Sequence, residues 1–219
     1  MLDWNKIDSV FLDMDGTLLD LHFDNHFWLE HVPQRYAEKH GLSRQAALDK
    51  LIPLFKSIEG TINWYCIDHW SKELDLDIAL LKEEVQHLIQ VHPFVIEFLK
   101  NLEKAGKRRV LVTNAHQKSL DLKMKNTPLS GLLDHVISAH QLGIPKEEHS
   151  FWAKLKTLEN YDPQRTLLID DNLVALNSAK EYGIKHLLAI YKPDSQAGLK
   201  DVGTFQAIHS FKEIMPINN

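Results

Sequence analysis

Two carboxylates, Asp13 and Asp15, stand directly after the apolar run Val10-Phe11-Leu12, in the segment Asp13-Met14-Asp15-Gly16-Thr17. Acids at the mouth of a buried strand are costly unless they hold a metal ion or do chemistry. Gly16 and Thr17 supply the residues of a turn there. An EF-hand calcium loop also opens on aspartates two apart, but it needs glycine at its sixth position, glutamate at its twelfth and a helix in front. Here those positions hold Leu18 and Asp24, and the preceding run reads as strand. Three more polar groups follow. Val112-Thr113-Asn114-Ala115-His116 offers a hydroxyl, an amide and backbone N–H groups suited to an anion, although threonine and asparagine also make turns and helix caps. Pro145-Lys146 puts an ammonium group in a loop, a setting in which most lysines are simply solvated. Leu168-Ile169-Asp170-Asp171-Asn172 ends in adjacent aspartates that repel each other and need a cation or water, for which a hard divalent metal is the economical explanation.

The elements that position these groups are legible from periodicity. Val10-Phe11-Leu12, Arg109-Val110-Leu111-Val112 and Thr166–Ile169 read as buried parallel strands, with His186–Ile190 as a fourth. Helical patterns separate them. Pro93 suits a first helical position, Val95, Phe98, Leu99 and Leu102 share one face, and Gly106 is placed to end that helix. Leu173–Tyr182 reads as another helix closed by Gly183. Alternation of this kind predicts a doubly wound parallel α/β sheet whose ligands bind beyond the carboxyl ends of the strands. Residues 21–91 instead show helices without a strand. Ser43 and Asp77 are placed as N-caps, and Ile78, Leu81, Val85, Leu88 and Ile89 form an apolar stripe. A crossover between parallel strands needs only about a dozen residues, so this stretch reads as an inserted helical cap. The expected division is a core of residues 1–20 and 92–219 and a cap of 21–91.

With 44% hydrophobic and 25% charged residues among 219 and a mean hydropathy of −0.27, the chain reads as globular rather than disordered. Its net charge of −5 gives no electrostatic footprint for a nucleic-acid polymer, so any positive charge that handles phosphate must be local. Cys66 is the single cysteine, which excludes an intrachain disulfide and a Cys-Cys metal knuckle. No basic, apolar leader opens the sequence and no run of about 18 apolar residues occurs. The expectation is a cytoplasmic protein that does not enter a membrane. Among 13 histidines, His22 and His26 have the spacing of a metal pair on a helix face, but no glutamate follows His22 as the metalloprotease motif requires. Lys107-Arg108-Arg109 reads as a solvated helix end favoured by the helix dipole. Trp64, Tyr65 and Trp70 read as cap core before base-stacking groups.

Taken in order, Asp13-x-Asp15-Gly16-Thr17, Thr113-Asn114, Lys146 and Asp170-Asp171 resemble the four motifs of the haloacid dehalogenase-like hydrolase superfamily. The insertion is similar to the helical cap of its subclass I, and residues 20–28 and 61–70 look like those of bacterial GMP/IMP 5′-nucleotidases. The resemblance implies that Asp13 is the nucleophile of an aspartyl-phosphate intermediate and that Asp15 is its acid and base. It implies Mg²⁺ held by Asp13, the Asp15 backbone carbonyl, Asp170 and Asp171, and a phosphate held by Thr113, Asn114 and Lys146. Two departures stand out. Many relatives have Gly-Asp in the fourth motif with another acid four residues later, whereas this chain has Asp-Asp and then Ala175, so Asp171 is expected to touch the metal and Asp170 to act through water. Asn172 stands where serine is common and has no assigned role. Trp28, Asn63 and Trp64 are the candidates for base recognition.

The expected activity is Mg²⁺-dependent hydrolysis of purine 5′-mononucleotides, GMP and IMP first. The core motifs would equally serve a sugar-phosphate or phosphoglycolate phosphatase, or a phosphomutase. The intact acids and Lys146 argue against a binding module that retains the fold without the chemistry. Dehalogenation does not need the second carboxylate that Asp15 supplies.

Overall fold

Every second residue of the central strands faces the same side of the sheet, so even their continuous apolar runs divide into two cores. The computed structural model describes residues 2–217. Its six strands, β1 (Ser9–Leu12), β2 (Arg108–Thr113), β3 (His135–Ser138), β4 (Thr166–Ile169), β5 (His186–Ile190) and β6 (Ala207–Ile208), form one sheet in the order β3-β2-β1-β4-β5-β6. Every pairing is parallel. Val10, Leu12, Leu111, Leu167, Ile169 and Leu188 lie in one apolar cluster, while Phe11, Val110, Val112, Leu168 and Ala189 lie in the other.

After β1 the chain first makes the inserted helices α1 (His22–His26), α2 (Val32–His40), α3 (Arg44–Ser57), α4 (Ile67–Leu74) and α5 (Ile78–Glu84), with a π-helical turn at Phe27–His31 joining the first two. Helix α6 (Val95–Lys104) then leads into β2, followed by α7 (Gln117–Lys125), α8 (His149–Leu155) and α9 (Leu173–Tyr182). The inward residues of α6, Val95, Phe98, Leu99 and Leu102, cover the first face, and Phe151, Trp152 and Leu155 of α8 with Leu176 and Ala179 of α9 cover the second. The anticipated caps hold, since Ser43 Oγ accepts from the Ala46 N–H and Asp77 Oδ1 from the Leu80 N–H. In the inserted helices, Trp28, Phe55, Trp64 and Trp70 meet edge to face or tilted at 5.0–6.2 Å between ring centres, and Trp70 Nε1 donates to the Trp64 carbonyl. The insertion begins and ends at one place. Leu19 bridges Val91 in antiparallel fashion, the Asp20 N–H donates to Gln90 O, and the His92 N–H donates to Leu18 O, both at 2.9 Å.

Several expectations are corrected. Pro93 does not open a helix, because Phe94 takes a left-handed φ of 66° and α6 starts at Val95. Strands β3 and β6 join the sheet in addition to those anticipated, and β2 is longer at both ends. Lys107-Arg108-Arg109 is not a solvated helix end. Arg109 is buried against Asp134 at 2.9 Å and Glu103 at 3.2 Å, and Arg108 pairs with Glu159 through two nitrogens, because both arginines already belong to β2. Among the described residues no helix is long and apolar enough to cross a membrane.

Candidate active site

Strand β1 lies where the sheet order reverses, with β2 on one side and β4 on the other. At such a switch point the loops diverge and open a crevice at the carboxyl edge. Asp13 is the first residue beyond β1, Thr113 the last of β2, and Asp170 the first beyond β4. Lys146 reaches into the crevice. Its ammonium is 2.6 Å from Asp13 Oδ1 and 2.7 Å from Asp170 Oδ2, almost wholly buried, and those two carboxylates hold it well above the usual lysine range although burial alone would lower it. Its backbone N–H donates to Asn114 Oδ1 at 2.9 Å, and Asn114 Nδ2 donates to Glu147 Oε2 at 2.8 Å. Both ends of the Asn114 amide are thus committed inside the protein, so it orients Lys146 and Glu147. Glu147 Oε1 in turn accepts from Asn172 Nδ2 at 2.8 Å and from the hydroxyl of Tyr65, which comes from the inserted helices. Asn172 also caps α9, accepting from the Val174 and Ala175 N–H groups, which gives it the role that sequence left blank. Thr113 Oγ1 accepts from the Ala115 N–H at 3.0 Å, leaving its own proton for an acceptor in the crevice.

Three carboxylates converge here. Asp13, Asp170 and Asp171 each present an oxygen within 4.8 Å of the others. Burial pushes all three up from the ordinary 3.8 to about 6. Lys146 opposes that rise at Asp13 and Asp170, while Asp170 adds to it at Asp13 and Asp13 adds to it at Asp171. Asp13 Oδ2 is buried without a hydrogen-bond partner. Such an orphaned oxygen among crowded acids is what a hard, oxygen-liganded cation would satisfy, so this donor set fits Mg²⁺ and not a thiophilic metal. Asp170 has both oxygens engaged, by Lys146 and by the Asn172 N–H, whereas Asp171 gives one to Lys200 at 3.2 Å. The Asp171 N–H donates to Thr17 Oγ1 at 3.1 Å, which ties the turn after β1 to the turn after β4.

A family model described as haloacid dehalogenase-like hydrolase matches residues 7–183. The chain belongs to that family. The GMP/IMP nucleotidase YrfG of Escherichia coli K12 is 37% identical over 213 residues, which cover 97% of this chain and 96% of that protein. A Shigella flexneri protein of the same name matches equally. Among solved structures, a HAD phosphatase from Thermococcus onnurineus aligns with a TM-score of 0.78 at 24% identity, covering 95% of this chain and 96% of that one. A putative beta-phosphoglucomutase from Thermotoga maritima aligns with a TM-score of 0.67 over 95% and 96% of the two chains. These share the fold.

In this haloacid dehalogenase-like hydrolase the second acid, Asp15, is bound to a buried relay. Lys123 of α7 lies 2.7 Å from Asp15 Oδ1 and 2.6 Å from Asp24 Oδ2, and Lys82 of α5 lies 2.8 Å from Asp24 Oδ1. Both lysines are buried, and the Lys82 ammonium sits over the rings of Phe23 and Phe27 at 4.8 and 4.5 Å. Burial raises Asp15 to about 6, with Lys123 opposing and Asp24 and Asp13 adding. Burial acts the same way on Asp24, but Lys123 and Lys82 outweigh it and hold that carboxyl well below the ordinary range. Asp15 and Lys123 come from the sheet domain, and Asp24 and Lys82 from the inserted helices.

The structure therefore brings Asp13, Asp15, Thr113, Asn114, Lys146, Asp170 and Asp171 to one crevice edge. Trp28 and Trp64 belong to the aromatic cluster of the inserted helices, and Asn63 is exposed in the turn that leads to Tyr65. Lys123, Asp24, Lys82, Glu147 and Lys200 escaped sequence reasoning, and Tyr65, expected in the cap core, instead donates to Glu147. A signal existed for Lys123, which sits one turn beyond the buried Leu120 on the inward face of α7.

Gly16 adopts φ +87°, and a Cβ there would lie 2.8 Å from the Asp171 carboxyl carbon. Gly16→Ala is therefore expected to displace Asp171 and impose backbone strain together. Isothermal titration with Mg²⁺ should show weaker binding, with phosphatase activity falling in step.

Proposed function

We propose that this chain is a Mg²⁺-dependent 5′-nucleotidase that hydrolyses purine 5′-mononucleotides, GMP and IMP first, to nucleoside and phosphate. The observation that carries this reading is the 37% identity to a protein named GMP/IMP nucleotidase across 97% of the chain, inserted helices included. The crevice supplies the chemistry. Asp13 attacks phosphorus in line, forming an acyl-phosphate bond as the bond to the 5′-oxygen breaks. Asp15, whose carboxyl burial raises to about 6 so that a protonated fraction persists toward neutral pH, gives that oxygen its proton. Asp15 then takes a proton from the water that attacks the same phosphorus, freeing phosphate and restoring the Asp13 carboxylate. Lys146, fixed through Asn114, and the Thr113 hydroxyl hold the phosphoryl oxygens. Asp13, Asp170, Asp171 and the Asp15 carbonyl would hold Mg²⁺, which would supply the positive charge that lets a carboxylate approach a phosphate dianion. The base would be received by the inserted helices, with Trp28, Asn63 and Trp64 as its candidates. A cytoplasmic location and a small-molecule phosphate ester, a purine nucleotide, as substrate complete the reading.

The deciding experiment is a phosphate-release screen across nucleotides and sugar phosphates. Stacking of a base on an aromatic side chain is worth about 1–3 kcal/mol, so kcat/KM for GMP and IMP should exceed that for hexose phosphates and phosphoglycolate about tenfold or more. A profile led by a sugar phosphate or phosphoglycolate overturns the nucleotide assignment and favours the second reading, a sugar-phosphate phosphatase.

Metal dependence has a thermal signature. The carboxyls at about 6 lose their protons later in the folded chain than in the unfolded one, so without a cation stability falls as pH rises from about 4 to about 6. Mg²⁺ competes with those protons. It should raise the melting temperature strongly at about pH 8 and hardly at about pH 5, and EDTA should abolish both that gain and turnover.

A further inference from the structure

Apart from the three acids, Cys66, His116 and His140 bring a sulfur and two imidazoles within 4.8 Å of one another. Cys66 precedes α4 in the inserted helices, His116 precedes α7 in the sheet domain, and His140 lies in the short turn that follows β3. The two imidazole rings meet edge to face with centres 4.9 Å apart. His140 Nε2 is buried without a hydrogen-bond partner, and Cys66 Sγ accepts a long 3.4 Å bond from the His69 N–H. Asp68 Oδ2 borders the group, 3.7 Å from His116 Nε2.

We propose that Cys66, His116 and His140 form a second metal site, of the zinc class, which ties the inserted helices to the sheet domain. One thiolate and two imidazoles are a borderline-soft donor set that favours Zn²⁺ over Mg²⁺, and a fourth, tetrahedral position is left for water or the Asp68 carboxylate. Burial holds both imidazoles below the ordinary histidine range, His116 against the pull of Asp68 and His140 with the help of His116, so each offers a neutral nitrogen at neutral pH. On binding, the Cys66 thiol releases its proton to solvent as the sulfur–metal bond forms. A metal bonded to both bodies fixes their separation. Zinc would therefore slow any turnover that requires them to part, and this part of the inference rests on the nucleotidase reading, whereas metal binding itself does not.

The full-length protein in saturating Mg²⁺, which keeps the acidic cluster filled, is titrated with Co²⁺ as a spectroscopic stand-in for zinc. The expected result is a thiolate-to-cobalt charge-transfer band that saturates at one equivalent and is bleached by Zn²⁺. Cys66→Ser should remove the band while keeping the fold, because serine preserves the acceptor at the start of α4. His140→Gln should weaken Zn²⁺ binding, measured against a chromophoric chelator, roughly tenfold or more. Absence of the band, its survival in Cys66→Ser, or unchanged Zn²⁺ affinity in His140→Gln overturns the site. Zn²⁺ should inhibit GMP hydrolysis in the unmodified protein and not in Cys66→Ser. Full activity with the metal bound overturns the clamp, and a protein that hydrolyses no nucleotide overturns the nucleotidase reading while the cobalt band still reports on the site.

Discussion

Asp13→Asn is expected to leave a folded protein whose phosphatase activity has dropped by about 10⁴-fold or more, the scale seen when a nucleophile is removed from a site that otherwise still binds its substrate. The amide is nearly isosteric but cannot form the acyl-phosphate bond. Its effect on stability has a definite sign. Asp13 is ionised at neutral pH against a burial cost that carries its pKa to about 6, with Asp170 and Asp171 crowding it. An uncharged side chain removes that cost. The asparagine oxygen can still accept from Lys146, which keeps its 2.7 Å contact with Asp170. The melting temperature of the metal-free variant at neutral pH should therefore match or exceed that of the unmodified protein. Mass spectrometry of acid-quenched enzyme should find a phosphoryl adduct on Asp13 during turnover and none in the variant. An adduct on another residue, or substantial activity without the carboxylate, would falsify the assignment.

Lys123→Met should produce the second-largest effect, and in a different pattern. The lysine is buried between Asp15 and Asp24 at 2.7 and 2.6 Å, so its loss leaves two carboxylates facing one another with only Lys82 still paired to Asp24. Removing one partner from a buried ionic group destabilises by about 3–5 kcal/mol. Lys123 is also the charge that opposes the upward shift of Asp15, so the pKa of Asp15 should rise further and the pH profile of kcat should move to higher pH. Turnover near neutrality should fall by about 10²-fold, as expected when a general acid-base group is mistuned. The double variant Lys123→Met/Asp24→Asn separates the two consequences. Removing the Asp24 charge should restore much of the lost stability. A pH profile unchanged in both variants would reduce the relay to a purely structural role.

Sequence is a good guide here wherever one residue's neighbours along the chain determine its environment. Helix α9 and strand β5 begin and end where periodicity placed them, because Asn172, Gly183 and a short apolar run are local signals. Strand β3 gives no clear sequence signal because His135 and Val136 are only half-buried at the edge of the sheet, and β6 is two residues long. Pro93 is not a helix start because Phe94 after it takes a left-handed φ and is followed by α6 at Val95, a conformation that periodicity does not signal. The same division holds in the crevice. Asp13, Asp15, Thr113, Lys146, Asp170 and Asp171 sit at strand ends or in a motif loop and were legible as acids and donors. Asn114 is a correction, since the sequence suggests a phosphate donor whereas its amide is spent on Lys146 and Glu147. Asp15, Lys123, Asp24 and Lys82 are joined across 58 to 108 positions of sequence, and no local pattern announces a buried pair made at such range.

The bridge between Leu19 and Val91 makes the insertion a loop whose two feet touch. Chain enters and leaves through a single pair of neighbouring hydrogen bonds, Asp20 to Gln90 and His92 to Leu18. The entropic cost of closing such a loop grows only logarithmically with its length. Whatever hangs from this doorway can thus be lengthened, shortened or exchanged for a foreign segment with little strain on the strands beneath. A segment grafted between these feet must still bring the groups that cross to the sheet side, Asp24 to Lys123 and Tyr65 to Glu147, because the doorway leaves the strands undisturbed while those contacts reach the hydrolytic centre.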